Sequence, residues 1–233
     1  MDQDQDTILQ EVLDIIKEDI DLSEIMGVYL VGSYAREDYT EKSDIDILII
    51  TEKTDLELIK NENYEILTIS LDLLNYKLKE DLLPIGTMLK EAKPLLNSNF
   101  LSCLDIKVTK RNVKWYLETT KDRLKLIKES IDTIKKKKPN GKLSDIIAYS
   151  LILRLRTIYM INCLKENKPY HKSEFLELVK KVSGSLVSYD RYIYEKGSED
   201  HKRELPLSEG ERLYEYLKEY LKKTIKNVEN SKK

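Results

Sequence analysis

Apolar residues along the first hundred positions switch between helical and alternating spacing. From Thr7 to about Ile20, Ile8, Leu9, Val12, Leu13, Ile16 and Ile20 recur every three to four positions, which predicts an amphipathic helix, with Thr7 and Gln10 in the form of a capping box. Gly27 to Val31 and Ile45 to Ile50 are short and apolar and read as strands, with a helix begun by Ser33 between them. Asp55 to Asn61 reads as helical. Tyr64 to Leu71 reads as a third strand, in which Ile66, Thr68 and Ser70 alternate with Leu67, Ile69 and Leu71. This order predicts a small mixed sheet backed by helices.

Farther on the spacing is helical. Leu73 to Leu83 and Ile85 to Ala92 read as helices broken at Pro84, and Pro94 closes that region. Thr109 is placed to cap a long helix through Ile134, which Lys135 to Gly141 ends as a loop. Ser144 is placed to cap a helix through Ile161, apolar enough to be the centre of a bundle. Ser173 to Val182, Leu186 to Tyr194 and Ser208 to about Asn227 supply further helices, the last with Ser208 and Glu211 as a capping box. The predicted fold class is α+β: an α/β domain over about residues 1–100, then an all-α helical bundle over 101–233.

Charge sharpens that division. Residues 1–100 carry 23 Asp and Glu against 9 Lys and Arg, and residues 101–233 carry 19 against 31, so a total of −2 hides halves of −14 and +12. Such halves either attract each other and flank a cleft, or the lysines are simply solvated helix surface. Cys103 and Cys163 match no metal spacing and are too few for a disulfide framework, so a reducing cytoplasm is the simplest home. Met1 to Asp6 is acidic rather than signal-like, and no apolar run approaches the roughly 20 residues of a membrane helix. A soluble, cytoplasmic protein without a membrane partner is expected.

The candidate chemistry lies between Val28 and Ile50. Asp44 and Asp46, two positions apart on one strand, share a face, and carboxylates roughly 6 to 7 Å apart can grip a divalent metal. Gly32 and Ser33 mark the end of one strand and the start of a helix, where free N–H groups and a positive helix terminus favour an anion. An anion site beside a metal site suggests a nucleoside triphosphate. An ordinary edge strand carrying two aspartates is the alternative.

Gly32-Ser33 with Arg36, followed by Ser43-Asp44-Ile45-Asp46, resembles the signature of the DNA polymerase beta-like nucleotidyltransferase superfamily. The nearest resemblance is to small prokaryotic members: the minimal nucleotidyltransferase antitoxins and the kanamycin and lincosamide nucleotidyltransferases. It implies one or two Mg²⁺ ions held by Asp44 and Asp46 as metal ligands and catalytic residues. It also implies nucleotide binding by Gly32, Ser33, Arg36 and Ser43, and transfer of a nucleoside monophosphate, AMP from ATP, to a hydroxyl of a small molecule or protein. The helical bundle would select the acceptor.

Two positions depart from that pattern. Glu37 stands where many relatives have glycine, and the polar face of the third strand offers Thr68 and Ser70 rather than a third acid, with Glu65 and Asp72 at its ends. A catalytically impaired nucleotide-binding protein therefore remains an alternative, as does an antitoxin-like protein acting on a toxin partner; a homo-oligomer also stays open. Nucleic acid is not expected as a partner. The helical ribonuclease pattern of Arg followed four to six residues later by His is missing after Arg154 and Arg156. Tyr189, Tyr192 and Tyr194 beside Arg191 read as packing residues, and His171 and His201 as surface.

Overall fold

The computed structural model describes residues 4–41, 43–194 and 205–230. His201 and the side chain of Tyr194 lie outside the described residues. Two compact units emerge, one running to Asn112 with Asn167–Tyr170 added, the other covering Val113–Glu166 and the chain from His171 onward.

The first unit runs α1 (Gln5–Ile16), β1 (Ile25–Val31), α2 (Gly32–Arg36), β2 (Ile45–Thr51), β3 (Leu56–Asn61), β4 (Tyr64–Ser70), α3 (Leu71–Glu80), α4 (Leu83–Glu91), β5 (Lys93–Leu96) and α5 (Ser98–Cys103). Its sheet has the order β3-β4-β2-β1-β5. β2 and β4 are parallel and the other neighbours antiparallel, so the sheet is mixed. Alternation along the strands builds two cores. On one face Ile45, Ile47, Ile49 and Ile66 pack with Ile8, Val12 and Ile16 of α1; on the other Leu48, Ile50 and Ile69 pack with Leu74 of α3 and Ile85 and Leu89 of α4.

Several boundaries differ from the sequence expectation. Residues 56–61 are a strand, not a helix, because Glu62 takes a left-handed backbone (φ 50°) and, with Asn63, turns the chain back so that Asn61 pairs with Tyr64. The three-residue spacing of Leu56 and Ile59 imitates a helix in the bare sequence. β5 was not anticipated; Pro94 sits in an edge strand, where its missing N–H costs little. Pro84 lies in the first turn of α4 rather than breaking a longer helix. α1 begins at Gln5 after Asp4, so Thr7 is already inside it and makes no cap with Gln10.

In the second unit, α6 (Lys110–Lys137) leads to β6 (Lys142–Leu143), α7 (Asp145–Lys165), α8 (Lys172–Ser183), α9 (Val187–Tyr194), β7 (Leu205–Pro206) and α10 (Leu207–Glu229). Thr109 and Asn112 cap the start of α6 reciprocally: Thr109 Oγ1 accepts the Asn112 N–H at 3.2 Å and Asn112 Oδ1 accepts the Thr109 N–H at 2.8 Å. Ser144 stands at the N-cap of α7 without a side-chain bond, and Pro206 holds that place for α10, so Ser208 and Glu211 form no capping box. The 21 residues of α7 are long and apolar enough to cross a membrane by length and composition, which a search for uninterrupted apolar runs overlooks because Arg154 and Arg156 divide them. Within its unit α7 packs on α9 and α10 and buries Leu151, Ile152, Leu155, Ile158 and Ile161. Tyr192 is buried and stacks on Tyr149, as packing predicts. Asp145 pairs with Arg191; Arg154 and Arg156 reach Thr119 and Tyr192 instead.

Candidate active site

Strand register assembles the acids. β2 and β4 pair in parallel with Asp46 opposite Glu65, and residues opposed in a parallel pair point to the same face. Both therefore lie on the face covered by α3 and α4, beyond Leu48 and Leu67. Thr68 and Ser70 lie on the face that carries Ile66; Thr68 is buried opposite Ile49, and Ser70 caps α3 through the Leu73 N–H. The third strand thus places its acid, Glu65, on the face that alternation alone assigns to leucine and isoleucine. Asp72 is exposed in the first turn of α3.

Asp46 meets the glycine turn on its other side. β1 pairs with β2 so that Val31 opposes Asp46, which brings the next residue, Gly32, against the carboxylate. Gly32 has φ 67°, and a Cβ there would overlap the Asp46 carboxylate, so this position requires glycine twice over. The Ser33 N–H donates to Asp46. Asp44 is exposed just ahead of β2. Ser43 closes the preceding loop: its hydroxyl accepts the Thr40 N–H at 2.9 Å and lies 3.2 Å from Thr40 Oγ1. Asp44, Asp46, Gly32 and Ser33 therefore come together, while Ser43 supports the loop that presents Asp44.

Arg36 is committed elsewhere. Its Nη1 donates to Glu91 Oε2 at 2.8 Å and its Nε to Asp38 Oδ2 at 3.3 Å, while the other Glu91 oxygen accepts the Gly32 N–H at 2.9 Å. Glu37, where glycine is common in the resemblance, is the left-handed residue that ends α2 (φ 62°) and pairs with Lys93.

The electrostatics follow from this crowding. Burial, then the charges of Glu65 and Asp44, push the Asp46 carboxyl above its ordinary range, while Arg36 and the Ser33 N–H oppose the rise. Burial likewise raises Glu91, outweighing its partner Arg36. Lys60, on β3 opposite Glu65, is raised by its hydrogen bond to Glu65 and then by the field of Glu65, Asp44 and Asp46. Among the described residues no three such side chains stand in ligand geometry about one point, since Glu65 is turned to Lys60. The donor chemistry nonetheless fits a hard cation: the three acids offer only carboxylate oxygens, and their mutual repulsion is relieved by positive charge.

Residues 9–106 match the family model for the nucleotidyltransferase domain. Over this stretch, which holds the whole sheet, the chain is similar to nucleotidyltransferase domains. Among solved structures, a nucleotidyltransferase-like protein from Exiguobacterium sibiricum is 14% identical, with 95% of this chain and 77% of that one covered and a TM-score of 0.44. Spectinomycin adenyltransferase AAD(9) from Enterococcus faecialis, solved with ATP and spectinomycin, is 12% identical, with coverage of 92% and 98% and a TM-score of 0.48. No curated protein matches the chain.

Sequence reasoning left the third acid open between Glu65 and Asp72, and it missed Lys60 and Glu91 as members of this region. Glu65 and Lys60 have a signal in Asn61-Glu62-Asn63: read as a hairpin turn, it sets the two side chains opposite each other. Glu91 has none, because it reaches Gly32 from the end of a helix 59 positions away in the chain.

Proposed function

We propose that the protein is a Mg²⁺-dependent nucleotidyltransferase that moves AMP from ATP to a hydroxyl of a small molecule or protein. The observation that carries this reading is the placement of Glu65 beside Asp46, against the Gly32-Ser33 turn and near Asp44. The preference for ATP rests on the resemblance of the Gly-Ser and Asp-x-Asp motifs. Two free cysteines suit action in a reducing cytoplasm.

Asp44 and Asp46, joined by Glu65, would hold the divalent ion. When bound, that ion supplies positive charge against the phosphate oxygens. In the transfer, the acceptor oxygen forms a bond to the α-phosphorus, the bond from that phosphorus to the leaving pyrophosphate breaks, and the hydroxyl proton passes to a carboxylate. Glu65 is the residue we assign to that proton. It is half-buried, and its one partner, Lys60, is an exposed side chain that can swing away. The Ser33 hydroxyl, at the turn, is placed to donate to a phosphate oxygen.

The alternative, a nucleotide-binding protein without turnover, rests on an incomplete acid set; the position of Glu65 opposite Asp46 supports the enzyme over it. The test is to incubate the full chain with each labelled NTP and Mg²⁺ and follow pyrophosphate, alongside Asp46→Asn and Glu65→Gln. Release that depends on Mg²⁺ and on both carboxylates supports the proposal. No nucleotide binding, or variants that behave like wild type, overturns it.

A further inference from the structure

The family resemblance assigns Gly32 and Arg36 to the nucleotide, yet both already serve an internal carboxylate. Glu91, at the C-terminal end of α4, takes the Gly32 N–H on one oxygen at 2.9 Å and Arg36 Nη1 on the other at 2.8 Å. Its side chain is only 6% exposed and that of Arg36 14%. The second edge of the guanidinium is held by Asp38, and its face lies 5.7 Å from the centre of the Tyr170 ring. A phosphate reaching for Arg36 would have to strip a buried carboxylate of its partners, which is far more costly than making a new surface ion pair.

Gly32 in turn packs against the Asp46 carboxylate, and the following amide, that of Ser33, donates to it. Glu91 thus fixes one residue of the turn while the next fixes the metal-side acid. We propose that Glu91 and Arg36 form a brace that positions Asp46 through the Gly32-Ser33 turn, and that Arg36 does not contact the nucleotide. This inference rests on the site assignment above and deepens it: Glu91 is a positioning residue, and phosphate contact at the turn falls to Ser33.

Glu91→Gln keeps the shape of the side chain but replaces an acceptor oxygen by an NH₂ group, so one of its two bonds faces donor to donor. In the full-length protein, the amide resonance of Gly32 should shift in Glu91→Gln, and Mn²⁺, used as the probe ion, should bind about tenfold more weakly. In turnover, kcat should fall at least about tenfold while KM for ATP stays within about twofold. Arg36→Gln should give the same pattern, and the double variant should be no worse than either alone. In wild type, adding ATP with Mg²⁺ should move the Ser33 amide and leave Gly32 in place, a measurement that needs no variant to fold.

Three results overturn the brace: a Gly32 amide that moves with nucleotide, an Arg36→Gln variant whose KM for ATP rises about tenfold at unchanged kcat, or a Glu91→Gln variant with unaltered Mn²⁺ affinity. If the wild-type protein transfers no nucleotide at all, the functional reading fails, and the Gly32 resonance with the Mn²⁺ titration still decides the brace.

Discussion

Glu65 lies directly across the parallel β2–β4 pair from Asp46, so the two carboxylates share one face of the sheet at about one strand spacing, roughly 4.8 Å. Neither residue is in the other's vicinity along the chain, and a three-stranded path through β3 connects them.

Glu65→Gln tests the proton-accepting role. The side chain lies near the end of its strand and makes one ion pair with an exposed lysine, so the fold should survive with a change in melting within about 1 °C. Pyrophosphate release should fall by about 10²- to 10⁴-fold while ATP binding, followed by calorimetry, changes little.

Gly32→Ala places a methyl group into the Asp46 carboxylate at a left-handed backbone position. The combined clash and strain should cost about 2 to 3 kcal/mol, read as a loss of roughly 5 to 10 °C in melting temperature. Any folded fraction should have lost Mg²⁺-dependent transfer.

Asp46 gives a pH signature. Its carboxyl is raised by burial and by Glu65, so between the ordinary aspartate range and the raised value the folded protein holds more protons than the unfolded chain. Raising pH through that window therefore costs stability, and the cost is complete once pH exceeds the raised value. Asp46→Asn should melt higher than wild type at pH 7, by a gain on the order of 0.5 kcal/mol after allowing for water at this partly exposed group. The gain should vanish as pH falls below about 4 and shrink when Mg²⁺ is added.

Glu37→Gly addresses the departure from the family pattern. A left-handed glutamate costs about 1 to 2 kcal/mol, and glycine returns about 0.5 to 1 kcal/mol of that through the entropy of the unfolded chain. Only an exposed pair with Lys93 is lost. The variant should gain about 0.5 kcal/mol, seen as a rise of about 1 to 2 °C, with transfer unchanged.

Much of this was legible because local chemistry and global placement agree. Ile45, Ile47 and Ile49 alternate with Asp46 and Leu48, so both the strand and the side on which its acid falls follow from period two alone. The Gly32 turn is legible for the same reason: a small residue between two apolar strands has few other uses. Register between strands is different. Whether Glu65 or Thr68 stands with Asp46 depends on how β4 slides along β2, and that is set by the two-residue turn at Glu62-Asn63, which the helix-like spacing of Leu56 and Ile59 disguises. Arg36 was legible as a fixed cation with Asp38 within local reach, but its buried partner Glu91 was not, since that carboxylate arrives from another element.

Pro94 carries a consequence for how this sheet meets other chains. β5 is four residues long, its second residue has no amide hydrogen, and Asn97 just beyond it turns out of extended conformation at φ 60°. A foreign strand approaching that border would find too few donors to zip against. The sheet is therefore sealed at that margin, and copies of the protein crowded in solution are discouraged from growing into fibrils by adding strand upon strand there.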